Sequence, residues 1–291
     1  MRRYISIHTL FLLALTPLLH AQQPEAPPIT PAQTAVHRDA PLNLALPTIF
    51  IVGDSTARNN ADLGWGDHFA HLFDASRINV ANRAIAGRSS RTYYNEGHWA
   101  NVLAEMKSGD YVLIQMGHND GGGTIESVPK DTKGRSSIKG LGDETVDVPI
   151  AKPFTTGPLA GKTVETVHTY GWYLRKYISD ARAKGIIPIL LTVTVRNIWT
   201  PDSAGNPHIE RDMGYRDADY QLGADQHVPV IDMATLAADR FEALGPEKTA
   251  LLFPKDHTHT SAEGAEMNAE SVTEAIRNAH SPLTDYLKPA D

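Results

Sequence analysis

The feature that most constrains the fold is the apolar run Ile49-Phe50-Ile51-Val52, which stops at Gly53-Asp54-Ser55-Thr56. Four consecutive apolar residues, all of them β-branched or aromatic, followed by a glycine, read as a buried strand that ends in a turn. In an open parallel sheet, ligands occupy the crevice outside the carboxyl ends of the strands. A hydroxyl leaving the first strand therefore has a functional address, and Ser55 is the candidate nucleophile. Gly-Asp-Ser also makes ordinary turns, so that assignment depends on partners elsewhere in the chain.

The downstream pattern alternates between strand and helix. Trp65, Phe69, Leu72 and Phe73 fall at helical spacing and predict a first crossover helix, and 78–82 alternates like a strand. Trp99, Val102, Leu103 and Met106 predict a helix, and Tyr111–Met116 a third strand. From Gly121 to about Lys162 no periodicity survives, and a long segment of that kind inside a compact domain is expected to be functional, as a lid or a substrate wall. Val167, Tyr170, Leu174, Tyr177, Ile178 and Ala181 mark a helix ending at Gly185, and 186–195 is a fourth strand. Residues 208–226 read as helical, 228–231 as a short fifth strand, and 233–244 as helical again. Thr260-Ser261-Ala262-Glu263 has the form of a capping box, opening a helix with the apolar stripe Ala265, Ala269, Val272 and Ile276. Strands alternating with helices imply an α/β fold, with a parallel sheet of five strands covered on both faces.

The ends read differently. Arg2 and Arg3 precede an apolar stretch from Ile5 to Leu19, and Ala21 is a small residue at the expected cut. Residues 1–21 thus read as a secretory signal peptide, directing the chain to a secreted or periplasmic location. The apolar part, about fifteen residues, is short for a membrane span, so no membrane association is expected after leader removal. Residues 22–46, rich in Pro, Ala and Gln, read as a linker. Residues 47–291 remain as one large domain. The chain has no cysteine, which excludes a disulfide scaffold. Its net charge of −7 becomes more negative once Arg2 and Arg3 are removed, which argues against a nucleic-acid partner.

Three expected strands end in glycine-bearing polar turns: Gly53-Asp54-Ser55, Ala86-Gly87-Arg88 and Gly117-His118-Asn119-Asp120. In a parallel sheet all three fall on one edge. Acyl transfer by a hydroxyl requires a base within hydrogen-bond reach, a group orienting that base, and donors aimed at the oxyanion. The backbone N–H groups of Ser55 and Gly87 and the side-chain amide of Asn119 are the candidate donors. The base is expected from Asp256-His257-Thr258-His259 before the last helix, with His259 as the base and Asp256 holding its ring.

These residues resemble the SGNH (GDSL-type) hydrolases: Gly53-Asp54-Ser55, Gly87, Gly117-His118-Asn119-Asp120 and Asp256-x-x-His259 are similar, in order, to that family's four sequence blocks. Ala86-Gly87-Arg88-Ser89-Ser90-Arg91 and Asp256-His257-Thr258-His259-Thr260 resemble the rhamnogalacturonan acetylesterase branch, as does Thr56 in place of the general pattern's leucine. The resemblance implies a three-layer α/β/α sandwich of flavodoxin-like architecture. It also implies a triad of Ser55, His259 and Asp256, an oxyanion hole of Ser55, Gly87 and Asn119, and no cofactor. The implied reaction is removal of acetyl groups from pectic polysaccharide, so the expected partner is an acetylated polysaccharide or oligosaccharide.

Other readings stand beside this one. Asp256, His257 and His259 with His118 and Asp120 offer donors for a metal, although acyl chemistry of this type needs none. Arg88 and Arg91 are candidates to bind galacturonate carboxylates, or else form surface or structural ion pairs. Trp199 is a candidate sugar-stacking residue, whereas Trp65, Trp99 and Trp172 fit core faces. His118 is expected to support the Asn119 loop. An esterase for xylan, lipid or aryl esters and a non-catalytic carbohydrate-binding protein are the functional alternatives.

Overall fold

A computed structural model describes residues 41–60 and 62–289. The expected leader and residues 22–40 of the expected linker lie outside the described residues. The last part of that linker is tied to the sheet: Asn43 N–H donates to Asn79 Oδ1 (2.9 Å), and Asn79 Nδ2 donates back to Asn43 O (3.0 Å).

Strand β1, Thr48–Val52, has every residue buried. It lies between β2, Asn79–Asn82, and β3, Tyr111–Ile114. A separate antiparallel hairpin follows from β4, Thr145–Pro149, and β5, Val164–His168. Strand β6, Ile187–Leu191, continues the central sheet beside β3. The short strands β7, Trp199–Pro201, and β8, Pro207–Ile209, form a second hairpin, and β9, Val230–Ile231, closes the sheet. The five central strands are all parallel, in the order β2-β1-β3-β6-β9. That order brings the carboxyl ends of β1, β2, β3 and β6 to one rim, and the switch in strand order beside β1 is where such sheets bind ligands.

The helices are α1, Ser90–Asn95; α2, His98–Glu105; α3, Tyr170–Ala183; α4, Arg216–Gln226; α5, Met233–Leu244; α6, Pro246–Leu251; and α7, Ala262–Asn278. Side chains alternate across a strand, so each strand feeds two cores. Ile49, Ile51, Leu113, Ile189 and Ile231 pack with Trp65, Phe69 and the Ala269–Val272–Ile276 stripe of α7. Phe50, Val52, Val112, Ile114 and Leu190 pack on the other face with Tyr93, Trp99 and the Tyr170–Leu174–Tyr177–Ile178 stripe of α3. The result is the expected α/β/α sandwich.

Several local expectations are corrected. The first crossover helix is two 3₁₀ turns, Trp65–Asp67 and Ala70–Leu72. Gly66 there packs so closely that a Cβ would sit 2.7 Å from Asn82 Nδ2 and 2.8 Å from Ala57 O. The 121–162 segment is not structureless: it carries a 3₁₀ turn at Val128–Lys130 and, in β4, half of the first hairpin. Of 208–226 only the α4 portion is helical, since β8 takes its beginning. The cap of α7 is Ser261, whose hydroxyl accepts from Gly264 N–H, while Thr260 Oγ1 donates to Leu63 O at 3.1 Å.

Candidate active site

The turn after β1 is built to turn one side chain outward. Asp54 is fully buried; its Oδ1 accepts from the N–H of Thr56 (2.8 Å) and from Thr56 Oγ1 (2.9 Å), an Asx turn that fixes the loop. Trp65 Nε1 donates to Gln115 Oε1 at 2.8 Å, the single Thr56 hydroxyl hydrogen is shared between Asp54 Oδ1 and the same Gln115 oxygen (3.2 Å), and Gln115 Nε2 donates to Thr192 O (3.1 Å). This buried polar chain ties together the loops that leave β1, β3 and β6. With its neighbours held inside, Ser55 is left partly exposed at the rim.

The 256–259 loop approaches Ser55 from the other end of the sequence. Asp256 Oδ1 accepts from the N–H groups of Thr258 (2.7 Å) and His259 (2.8 Å), and His259 Nδ1 donates to Asp256 Oδ2 at 2.8 Å. Partial burial raises the Asp256 pKa, but these bonds outweigh it and leave the carboxyl below its usual range. With Nδ1 donating to a carboxylate, Nε2 is an acceptor, and Ser55 Oγ lies 2.9 Å from it. The loop is fastened by Asn197 N–H to His257 O (2.7 Å) and Ser261 N–H to Leu252 O (2.8 Å).

The other rim turns converge on the same place. Gly87 has φ +78°, a conformation that suits glycine, and no acceptor among the described residues takes its N–H or that of Ser55. The Asn119 amide donates to Arg88 O at 3.1 Å, which uses one of its two hydrogens. Beneath it, Asp120 is fully buried and accepts from Ser90 Oγ and Ser137 Oγ. Burial pushes its carboxyl up to about 6 against the downward pull of those bonds. His118 Nε2 meets Thr194 Oγ1 at 2.8 Å, and the protein packed round the imidazole lowers its pKa to about 4, so the ring is neutral near pH 7.

The remaining candidates are placed differently. Arg91 is corrected: it is 3% exposed, and its guanidinium is committed to Glu165 of β5 through Nε–Oε1 (2.5 Å) and Nη2–Oε2 (2.7 Å). A side chain desolvated inside a two-pronged pair has no face left for a polymer. Arg88 is mostly covered and paired with Glu96 Oε2 at 2.8 Å. The Trp199 ring lies against the cluster of Val195, Ile209 and Phe241, with its indole N–H donating to Asn197 Oδ1 at 2.8 Å. Trp65 and Trp99 are buried in the core, while Trp172 stacks on His168 with ring centroids 3.7 Å apart. As for metal ligation, the side-chain nitrogens of His259 are taken by Ser55 and Asp256, and Asp120 faces Ser90 and Ser137. Among the described residues no three His, Cys, Asp or Glu side chains are placed to hold a metal ion.

A cavity of about 310 Å³ opens beside His118 and is lined also by Gly122, Lys139, Arg196, Gly214 and Tyr215. Sequence reading passed over Arg196. The signal was available: it follows Val193-Thr194-Val195 beyond the carboxyl end of β6, on the edge that carries the other turns.

The GDSL-like lipase/acylhydrolase family model matches residues 51–267. A rhamnogalacturonan acetylesterase of Emericella nidulans is 33% identical over 245 residues, covering 84% of this chain and 90% of the relative. A probable rhamnogalacturonan acetylesterase of Bacillus subtilis is 30% identical over 255 residues, covering 82% and 96%. A crystal structure of another Bacillus subtilis protein superposes with a TM-score of 0.60 at 23% identity, covering 81% of this chain and 57% of that one, and supports the fold alone. With these matches spanning the rim turns and the 256–259 loop alike, the chain belongs to the GDSL-like lipase/acylhydrolase family of carboxylic-ester hydrolases.

Proposed function

We propose that this chain is an exported serine carbohydrate esterase that removes O-acetyl groups from pectic polysaccharide through an acyl-enzyme. The observation that carries the proposal is the 2.9 Å approach of Ser55 Oγ to His259 Nε2 across 204 positions of sequence, with Asp256 Oδ2 at 2.8 Å on the far side of the ring. Support for the substrate comes from relatives named rhamnogalacturonan acetylesterase at 30–33% identity over most of the chain. Support for export, to the medium or a periplasm, comes from the 1–21 leader pattern.

In this reading His259 Nε2 takes the Ser55 proton as Oγ attacks the acetyl carbonyl carbon, and Asp256 stabilises the imidazolium that forms. Negative charge collects on the former carbonyl oxygen. The free N–H groups of Ser55 and Gly87 and the second Asn119 amide hydrogen receive it. Collapse breaks the bond to the sugar oxygen, which leaves with the proton returned by His259. Water, deprotonated by the same nitrogen, then attacks the acetyl-Ser55 carbonyl, and acetate departs as Oγ is reprotonated. The test is acetate release from acetylated rhamnogalacturonan, xylan and an aryl acetate by the wild type and Ser55→Ala. Loss of release in the folded variant is expected, with the pectic polymer favoured by the wild type. Retained release would remove Ser55 as nucleophile, and preference for another ester would reassign the substrate.

A further inference from the structure

The cavity beside His118 holds an unmatched cation. Arg83, Arg88, Arg91, Arg175, Arg211, Arg216 and Arg240 each pair with a carboxylate within 4.0 Å, whereas the Arg196 side chain makes no hydrogen bond or ion pair to any described residue. Its Nε is nevertheless fully shielded from solvent. A desolvated guanidinium N–H without an acceptor is an expensive arrangement, costing about 1–3 kcal/mol or more for a charged group, and the unmatched positive charge favours an anion in the cavity that Arg196 lines. Lys139, supplied by the long 121–162 segment, lines the same cavity and also lacks an ion-pair partner among the described residues.

No carboxylate lines this cavity, although the chain as a whole is acidic. Its walls are otherwise small. A Cβ on Gly122 would lie 3.8 Å from Tyr215 Oη and 3.9 Å from Lys139 Cδ, so the missing side chain keeps the space between them open. His118, another wall, is the chain neighbour of Asn119. The cavity therefore borders the loop that carries the proposed oxyanion amide. A guanidinium fork with an ammonium beside it suits a planar carboxylate.

Resting on the esterase reading above, we propose that the Arg196–Lys139 cavity is a subsite for the carboxylate of a uronic acid unit at or next to the acetylated sugar. It replaces Arg91, which the fold has used internally, as the source of positive charge for a polyanionic chain. The subsite makes this enzyme discriminate between a uronate and the corresponding neutral hexose.

The experiment compares acetylated rhamnogalacturonan oligosaccharides with the same oligosaccharides after reduction of their carboxyl groups. The wild type should favour the charged form in kcat/KM, and added salt should erode the preference. In Arg196→Gln and, separately, Lys139→Gln the ratio between the two substrates should fall about tenfold or more toward unity, mainly through KM. Lys139 is exposed, so its variant reports even if Arg196→Gln folds poorly. A ratio unchanged in Lys139→Gln and in folded Arg196→Gln overturns the subsite. Absence of Ser55-dependent acetate release from both oligosaccharides overturns the esterase reading instead, so the two failures are distinguishable.

Discussion

Arg91 and Glu165 form a two-pronged pair, Nε–Oε1 at 2.5 Å and Nη2–Oε2 at 2.7 Å, in which both residues are buried. Asn95 Nδ2 adds a bond to Oε1 (2.6 Å), and Arg91 Nη1 donates to Ser136 O (2.8 Å). The pair therefore clamps α1, which follows the Gly87 turn, to the long segment that supplies Lys139. Removing one member of a buried pair leaves an uncompensated charge and costs about 3–5 kcal/mol. Glu165→Ala should lower the unfolding free energy by about that amount in a denaturant titration. The double change Arg91→Met with Glu165→Leu should lose less than the sum of the single changes, by at least about 1 kcal/mol. Strict additivity would mean that the two side chains do not act as a unit.

Asn119 is expected to act on the transition state. Its amide is held by Arg88 O with one hydrogen and has the second available. Asn119→Ala should lower kcat about 10²–10³-fold with little change in KM, the usual consequence of removing one oxyanion donor. Steady-state rates on an aryl acetate, with circular dichroism to verify folding, check it. A change confined to KM would assign the amide to substrate binding.

How much of this was legible depends on which residues did the packing. The β1, β3 and α7 stripes were readable because apolar side chains carry them, and period 2 or 3.6 is visible without coordinates. Where polar or backbone atoms do the packing, pattern is silent. Helix α1 buries Ser90, Arg91 and Asn95 through hydrogen bonds rather than through an apolar stripe. Hairpin β4–β5 alternates only over Val146 and Val148, which pack into a small cluster with Val128, Ile138 and Val167, too short a pattern to mark it. The convergence of the 53–55, 86–88 and 117–120 turns follows from the shared edge of a parallel sheet, which is a statement about topology, whereas His259 is expected there from the need for a base and from the family resemblance. Whether Arg88 or Arg91 was free to meet a ligand depended on the positions of Glu96 and Glu165, and no local rule supplies those.

Asp120 makes stability depend on pH in a definite direction. Its carboxyl is raised to about 6 from an ordinary 3.8, chiefly by burial. Between those values the folded state holds a proton that the unfolded chain has released, so the stability contribution of Asp120 is lost as pH rises from about 4 through 6. His118, lowered to about 4 from 6.5 by burial, acts oppositely: the folded state refuses a proton, and stability falls as pH drops from about 6.5 to 4. The two overlap, so the wild-type curve alone does not isolate either. The stability difference between Asp120→Asn and wild type does. It should move in favour of the variant by up to about 3 kcal/mol as pH rises from 4 to 7. A difference independent of pH would show that Asp120 is ionised throughout.

Gly64 couples the core directly to the loop that carries Ser55. A Cβ there would lie 2.5 Å from the carbonyl carbon and oxygen of Ala57 and from Arg58 N, all backbone atoms with no flexible end to swing aside. The neighbouring bonds, Trp65 N–H to Thr56 O (3.0 Å) and Gly66 N–H to Ala57 O (3.0 Å), hold the 64–66 turn against the residues after Ser55. Gly64→Ala must therefore push one strand of this contact away from the other. Overpacking of that kind costs about 1–3 kcal/mol, and the displaced segment, Ala57 and Arg58, begins two residues beyond the proposed nucleophile. A displacement of about 1 Å between reacting groups can lower kcat about 10²-fold. The variant should thus be both less stable and slower on an aryl acetate, with the rate deficit persisting at temperatures where it is fully folded. If kcat is normal once folding is complete, the 64–66 turn supports the fold without setting the position of Ser55.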